Sequence, residues 1–342
     1  MERTFQDADL TASENAIRFT EKTFVLDCLN LVYVLEEQYA QRCLDGGVNA
    51  ANVTFVTDGD WETTLETLET SLETIEKSPL LHLALTTADL MRAQQDGKLG
   101  VLLGTQGAAF VGDSLWRVSC MSRLGLRSIG LAYTAGNLLG DGCGETREGG
   151  LTFLGQEFVA AVNELPMLLD VSHAGHKERA EVAALATAPV CTHSNAYAVH
   201  ANDRNTHDET ASAIVAKGGM LGLCGLPKSV ADQNPTLSDM VDHCDHYKST
   251  IGAENIGIGL DFTEAYQESG AVLDASRVWR TRRPDIFGTV DEFLTQTYPT
   301  GLHSIRLLAN LTEELLARDY SEPEIAGILG GNWLRTFRHT IG

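Results

Sequence analysis

Residues 168–195, LLDVSHAGHKERAEVAALATAPVCTHSN, carry the pattern that decides the fold. Leu168–Val171 is a short run, apolar except for Asp170, which is how a strand covered on both faces reads. A helical stretch, His176–Leu185, follows it, and Pro189–Thr192 is apolar again. Each apolar run closes on polar residues that include a histidine: Ser172-His173 after the first, His193-Ser194-Asn195 after the second. Strand, helix and strand in that order make a parallel β/α unit.

The same unit recurs on either side. Apolar runs predict further strands at Thr23–Leu29, Val53–Val56, Gly100–Gly104, Ser128–Leu131, Met220–Leu223 and Ile256–Leu260. Helices are predicted at Glu62–Lys77, Thr87–Asp96, Leu154–Glu164, Asp208–Lys217 and Leu237–Ile251. Eight strands with intervening helices predict an α/β fold, a (β/α)8 TIM-like barrel, as one domain over residues 1–342. The competing arrangement is a doubly wound open sheet, and the lack of a Gly-x-Gly-x-x-Gly after any strand weighs against it. Ser321–Leu329, opening Ser-Glu-Pro-Glu, predicts a capped C-terminal helical tail packed on the barrel.

Composition narrows the function. Of 342 residues, 25 are Lys or Arg and 47 are Asp or Glu, a net charge of −22 that repels nucleic acid and anionic membrane surfaces. The 43% hydrophobic and 21% charged content is that of an ordinary globule and excludes wholesale disorder. Apolar runs such as Leu99–Leu103 fall far short of the roughly 20 residues of a membrane span. The amino terminus shows no basic run leading into an apolar segment, so no secretory leader is expected. Seven cysteines without Cys-x-x-Cys spacing argue against a zinc knuckle or a disulfide framework and for a reducing, cytoplasmic setting.

Barrel chemistry sits at the C-terminal ends of strands. Beside His173 and His193, those ends carry Gln106 after Leu102–Thr105 and Asp261 after Ile256–Leu260. Histidines on successive strands supply a nitrogen donor set for Zn²⁺ or a similar ion, and the alternative for each is a hydrogen-bonded structural imidazole.

The ordered set of motifs resembles the membrane (renal) dipeptidase family. It comprises Gly150-Leu151-Thr152-Phe153-Leu154-Gly155, Asn163, Asp170-Val171-Ser172-His173, His193-Ser194-Asn195-Ala196 and Asp203-Arg204-Asn205 with Asp208-Glu209. Gly257-Ile258-Gly259 with Asp261 and Gly330-Gly331-Asn332-Trp333-Leu334-Arg335 complete it, so the resemblance runs from Phe24 to Phe337. It implies a barrel related to amidohydrolases, two bridged zinc ions that activate water against a dipeptide bond, and a homodimer. It implies that His173 and His193 are metal ligands and that Arg204 grips the substrate carboxylate. Asp261 is the remaining acid of the site.

The sequence departs from that pattern on one flank. Where the family has a His-x-Asp pair at the end of its first strand, Asp27-Cys28-Leu29-Asn30-Leu31 offers Leu29 and Leu31. The bridging glutamate is matched by Gln106, and the substrate-polarising histidine by Tyr133. Leucine cannot ligate and a neutral amide bridges two cations poorly, so a two-zinc centre is not expected. The expectation is no metal or one divalent ion, zinc by preference, at His173 and His193. Strict alternation would turn Cys28 and Asn30 away from the face of Leu29 and Leu31 and leave Asp27 on that face. Asp261, His173, His193 and Tyr133 are the candidate catalytic residues; Arg204 and Gln106 are the candidate substrate-binding ones. Arg204 has an alternative as a surface residue paired with Asp203 or Asp208, and Tyr133 as a half-buried aromatic.

Other clusters are discounted. Asp242-His243-Cys244-Asp245-His246 reads as the solvated face of a helix, and Cys143 as an ordinary loop residue. Arg277, Arg280, Arg282 and Arg283 with Trp279 read as a solvated turn, with a lid for an anionic substrate as the alternative. The expected function is a divergent dipeptidase-family enzyme acting on a small carboxylate-bearing peptide-derived or amino-acid-conjugate substrate, natural-product tailoring included. A mononuclear dipeptidase or N-acyl amino acid hydrolase, and an inactive ligand-binding homologue, are the alternatives.

Overall fold

Continuous Val-, Ile- and Leu-rich runs form strands that pair on both edges. The computed structural model describes residues 9–263, 282–289, 291–292 and 298–342. Its strands are β1 (Leu26–Leu31), β2 (Ala50–Val56), β3 (Leu81–Leu83), β4 (Leu99–Thr105), β5 (Leu126–Gly130), β6 (Leu168–Asp170), β7 (Pro189–Val190), β8 (Leu221–Leu223) and β9 (Ile256–Ile258). They pair in parallel in the order β7-β6-β5-β4-β2-β1-β9-β8. The ring closes beyond β7: Cys191 N–H donates to Met220 O at 3.1 Å, and Gly222 N–H donates to Cys191 O at 2.7 Å. The eight predicted strands are therefore the eight staves of a (β/α)8 barrel. β3, which pairs with the first half of β4 off the ring, escaped the sequence reading because it is three residues long.

The predicted helices form to within a residue of their expected ends, as Trp61–Lys77, Thr87–Gln95, Phe153–Asn163, His176–Leu185, Asp208–Ala216 and Leu237–Ile251. Among the described residues four longer ones, Glu14–Lys22, Glu37–Asp45, Trp116–Arg123 and Leu308–Ala317, and the single turns Pro227–Val230 and Pro284–Phe287 were not anticipated. Three of the four longer ones bury only two or three side chains each, so their apolar stripe is thin. Among the described residues no helix is long and apolar enough to cross a membrane.

The tail runs as Glu322–Ala326, a π turn at Gly327–Gly331, and Asn332–Ile341. Trp333 is fully buried in a cluster with Leu26, Ala50, Leu102, Leu168 and Val190, which come from five different strands. Only the lumen can gather them, and most stand at strand starts, so the tail plugs the end of the barrel opposite the site. The indole N–H donates to Ile258 O at 2.9 Å, and a Cβ at Gly257 would stand 2.2 Å from that nitrogen. Trp333→Phe should keep the apolar plug but strand the carbonyl. A stability loss of roughly 1–3 kcal/mol in chemical denaturation is expected.

Candidate functional site

Asp170, the last residue of β6, organises the mouth. Its Oδ1 accepts from Ser172 N at 3.0 Å, Ser172 Oγ at 2.6 Å and Thr192 N at 3.0 Å, and its Oδ2 from Thr192 Oγ1 at 2.6 Å. One carboxylate thus shapes the turns after both β6 and β7. Those turns bring His173 and His193 together at 54° between ring planes, with their Nε2 atoms 3.1 Å apart.

The hydrogen bonds assign the protons. Because the Thr192 hydroxyl donates to Asp170, it accepts at 2.7 Å from His193 Nδ1–H, which leaves His193 Nε2 with its lone pair. In the metal-free network His173 Nε2–H donates to that lone pair, and Thr134 Oγ1 stands 3.3 Å from His173 Nδ1. Burial, followed by the positive charge of Arg204, holds both imidazoles well below the usual histidine range. The pair is neutral at neutral pH. Two nitrogens bound to one tetrahedral zinc at about 2.0–2.1 Å would lie about 3.3 Å apart, so this spacing also suits a shared ion. Among the described residues, however, no group of three or more His, Cys, Asp or Glu side chains is placed to hold a metal.

Arg204 lies inside the protein rather than on the surface. It is 1% exposed, while Asp203 pairs with His176 and Arg283, and Asp208 with His246. The turn that carries it is set by Asn202 Oδ1, which accepts from Arg204 N at 2.8 Å. Its Nη1 donates to Ser172 O and its Nη2 to His193 O at 3.5 Å, but Nε has no hydrogen-bond partner. The Phe287 ring covers the guanidinium, with Cζ 5.7 Å from the ring centroid.

Asp261 follows β9 in a left-handed conformation, φ +55°. β1 fixes that turn from beside it. Asp261 N–H donates to Leu29 O at 3.1 Å, and Asp27 Oδ1 accepts from Leu260 N at 2.8 Å. Burial pushes the Asp261 carboxyl up to about 7, against the pull of Arg204 and with a further push from Asp27. Asp27 is itself raised to about 7 by burial, and its Oδ2 has no partner. Gln106 is buried at the end of β4. The Tyr133 ring lies against His173 with centroids 4.4 Å apart.

On β1 the structure corrects the alternation. Asp27 pairs with Ala51 and Asn30 with Val53, so three steps on β1 match two on β2. The extra residue reverses facing beyond it. Leu31 now pairs with Thr54, and Leu29 shares that side, opposite Asn30. Asp27 does not share the face of Leu31, and Cys28 points into the barrel floor with Leu26 and Trp333. Leu29 and Leu31 are 1% and 8% exposed.

Two discounted clusters also differ from expectation. His243 is fully buried, not solvated: its Nδ1 accepts from Ala196 N at 3.2 Å and its Nε2 donates to Val230 O at 3.0 Å. Burial lowers it to about 4. It shares a stripe with Met240, Cys244 and Tyr247, which the charged neighbours in sequence obscured. Cys143 is buried with its thiol pushed up, and its N–H donates to His173 O at 2.8 Å. Arg283 is not a solvated turn residue but pairs with Asp203 and Asp285. Arg277, Trp279 and Arg280 lie outside the described residues.

Arg179 was missed altogether. Buried, it donates to the carbonyls of Val171, Ser172, Ala174 and Asn205 and to Thr206 Oγ1, tying the His173 turn to the Arg204 turn. The available signal was a charge at the helical spacing of Val182 and Ala183.

The membrane dipeptidase profile (peptidase family M19) matches residues 28–280. Among curated proteins, Dipeptidase verJ of Clonostachys rogersoniana is 28% identical over 288 residues, 82% of this chain and 66% of that protein. Two other curated dipeptidases are matched over 47% of their length, so the chain spans about half to two-thirds of these relatives. Among solved structures, an amidohydrolase from Pseudomonas aeruginosa superposes with a TM-score of 0.83 at 27% identity, covering 95% of this chain and 98% of that one. A structure described as dipeptidase AC, a metallo peptidase, gives 0.76 at 22% identity over 94% and 99%, and shows the fold alone.

Proposed function

From the premise that the chain belongs to the membrane dipeptidase family, we propose that it is a hydrolase whose substrate is a small amide bearing a free carboxylate, handled with at most one metal ion. The observation that carries this reading is Arg204: a buried guanidinium that pairs with no carboxylate among the described residues and keeps Nε unsatisfied. A buried cation with no paired carboxylate is costly, and an anionic substrate is its natural counter-charge.

The family's paired zinc does not fit these residues. Leu29 and Leu31 stand where its first ligands would be, and Gln106 brings no charge to a bridge. The 3.1 Å between His173 Nε2 and His193 Nε2 would accommodate one ion held by these two nitrogens. Bound there, such an ion would polarise the amide carbonyl. The chain's own residues do the rest. Arg204 orients the substrate by its carboxylate. Tyr133 and Gln106 offer polar groups to the carbonyl oxygen. Asp261, titrating near neutrality, moves the proton between the attacking water and the leaving nitrogen.

Two measurements test this. Elemental analysis of the chain purified without chelator should find none or one zinc per chain, and two would overturn the reading. Arg204→Lys keeps the charge but loses the planar fork, so KM for N-acyl amino acids should rise about tenfold with kcat little changed. An unchanged KM would remove Arg204 as the anchor.

A further inference from the structure

We propose that the site selects carboxylates whose body is apolar, and that Phe287 is the residue that sets this selectivity. The inference rests on the reading of Arg204 as the carboxylate anchor and adds to it the nature of everything else the substrate would touch.

The guanidinium presents a defined approach. Nη1 is taken by Ser172 O and one face by the Phe287 ring, while Nε is unpartnered and Nη2 has only a long contact. The under-satisfied edge is therefore the Nε–Nη2 side, the edge on which a carboxylate binds in plane with two parallel hydrogen bonds. The Phe287 ring, with its centroid 5.7 Å from Cζ, lies beside whatever the carboxylate carries.

The Phe287 side of the guanidinium is apolar. Phe287 packs in one cluster with Cys143, Cys224, Leu226 and Ile286, and Tyr133 lies against it. The Phe287 ring is also nearly parallel to the His173 imidazole, at 19° and 6.2 Å between centroids. The same residue thus touches both the anchor and the histidine pair. Its position is held from outside the site: Arg283 pairs with Asp203 and Asp285, and Asn202 Nδ2 donates to the carbonyls of Asp285 and Ile286 at 3.2 Å.

A substrate anchored at Arg204 must lay its body against this surface. A polar body would lose water there without finding partners, whereas an aryl or branched aliphatic body exchanges water for close packing.

The test uses 3-phenylpropanoate and propanoate, which share the carboxylate, differ in the apolar body and contain no amide to hydrolyse. Their dissociation constants are measured calorimetrically with the full chain and with Phe287→Ala and Arg204→Lys. The unchanged chain should bind 3-phenylpropanoate at least about tenfold more tightly than propanoate. Phe287→Ala should erase most of that ratio by weakening 3-phenylpropanoate more than propanoate, and Arg204→Lys should weaken both acids. Equal affinities for the two acids, or a ratio that survives Phe287→Ala, overturn the selectivity while an Arg204 dependence leaves the anchor standing. Indifference of both acids to Arg204→Lys overturns the anchor and the selectivity with it.

Discussion

Asp261→Asn should lower kcat by about 10²–10⁴-fold, the usual worth of a positioned general acid or base. The substitution is close to isosteric, and asparagine tolerates the left-handed backbone that the residue adopts, so the fold should be untouched. Circular dichroism would confirm that. In the unchanged chain the carboxyl is pushed up to about 7, chiefly by burial. If the ionised form takes the proton from water, kcat/KM rises with pH through that region, and Asp261→Asn removes the rise together with the rate. Turnover that survives with the same pH profile would exclude Asp261 from the chemistry.

Asp27→Asn should change how stability depends on pH. The carboxyl is raised to about 7 in the folded chain, against about 3.9 in an unfolded one. As pH rises from about 4, the unfolded chain releases this proton first, so the native state loses relative stability until about pH 7 and levels off above it. Three units correspond to about 4 kcal/mol at most. Asparagine keeps the oxygen that accepts from Leu260 N but cannot ionise, at the cost of a new buried N–H where Oδ2 had no partner. That cost is independent of pH. The difference in unfolding free energy between Asp27→Asn and the unchanged chain should therefore grow in favour of the variant from pH 4 to pH 7. A flat difference would mean that Asp27 is ionised in the native state. Because the charge on Asp27 raises Asp261, the same variant should also move the pH limb of activity to lower pH.

The barrel was legible because parallel strands buried on both faces leave short, mostly apolar runs, and all eight staves did so. The site was legible wherever its residues stand directly past such a run, as His173, His193, Gln106 and Asp261 do. Phe287 follows no strand, and its contacts with His173 and Arg204 span 114 and 83 positions of chain, so nothing local announces them. Arg179 hides in a helix where a charge at an apolar position looks like a surface residue. The facing of β1 was misread at Asp27 because alternation assumes a regular ladder, and a bulge is set by the neighbouring strand rather than by the residues inside it.

That extra residue in β1 also dictates how the lost half of a metal centre would have to be rebuilt. A designer restoring the family's donors must write histidine at Leu29 and aspartate at Leu31, since Asn30 looks outward and Cys28 toward the floor. Deleting one residue between Asp27 and Asn30 would rotate every later side chain of the strand by half a turn, exchanging the lining of the lumen for that of its outer jacket.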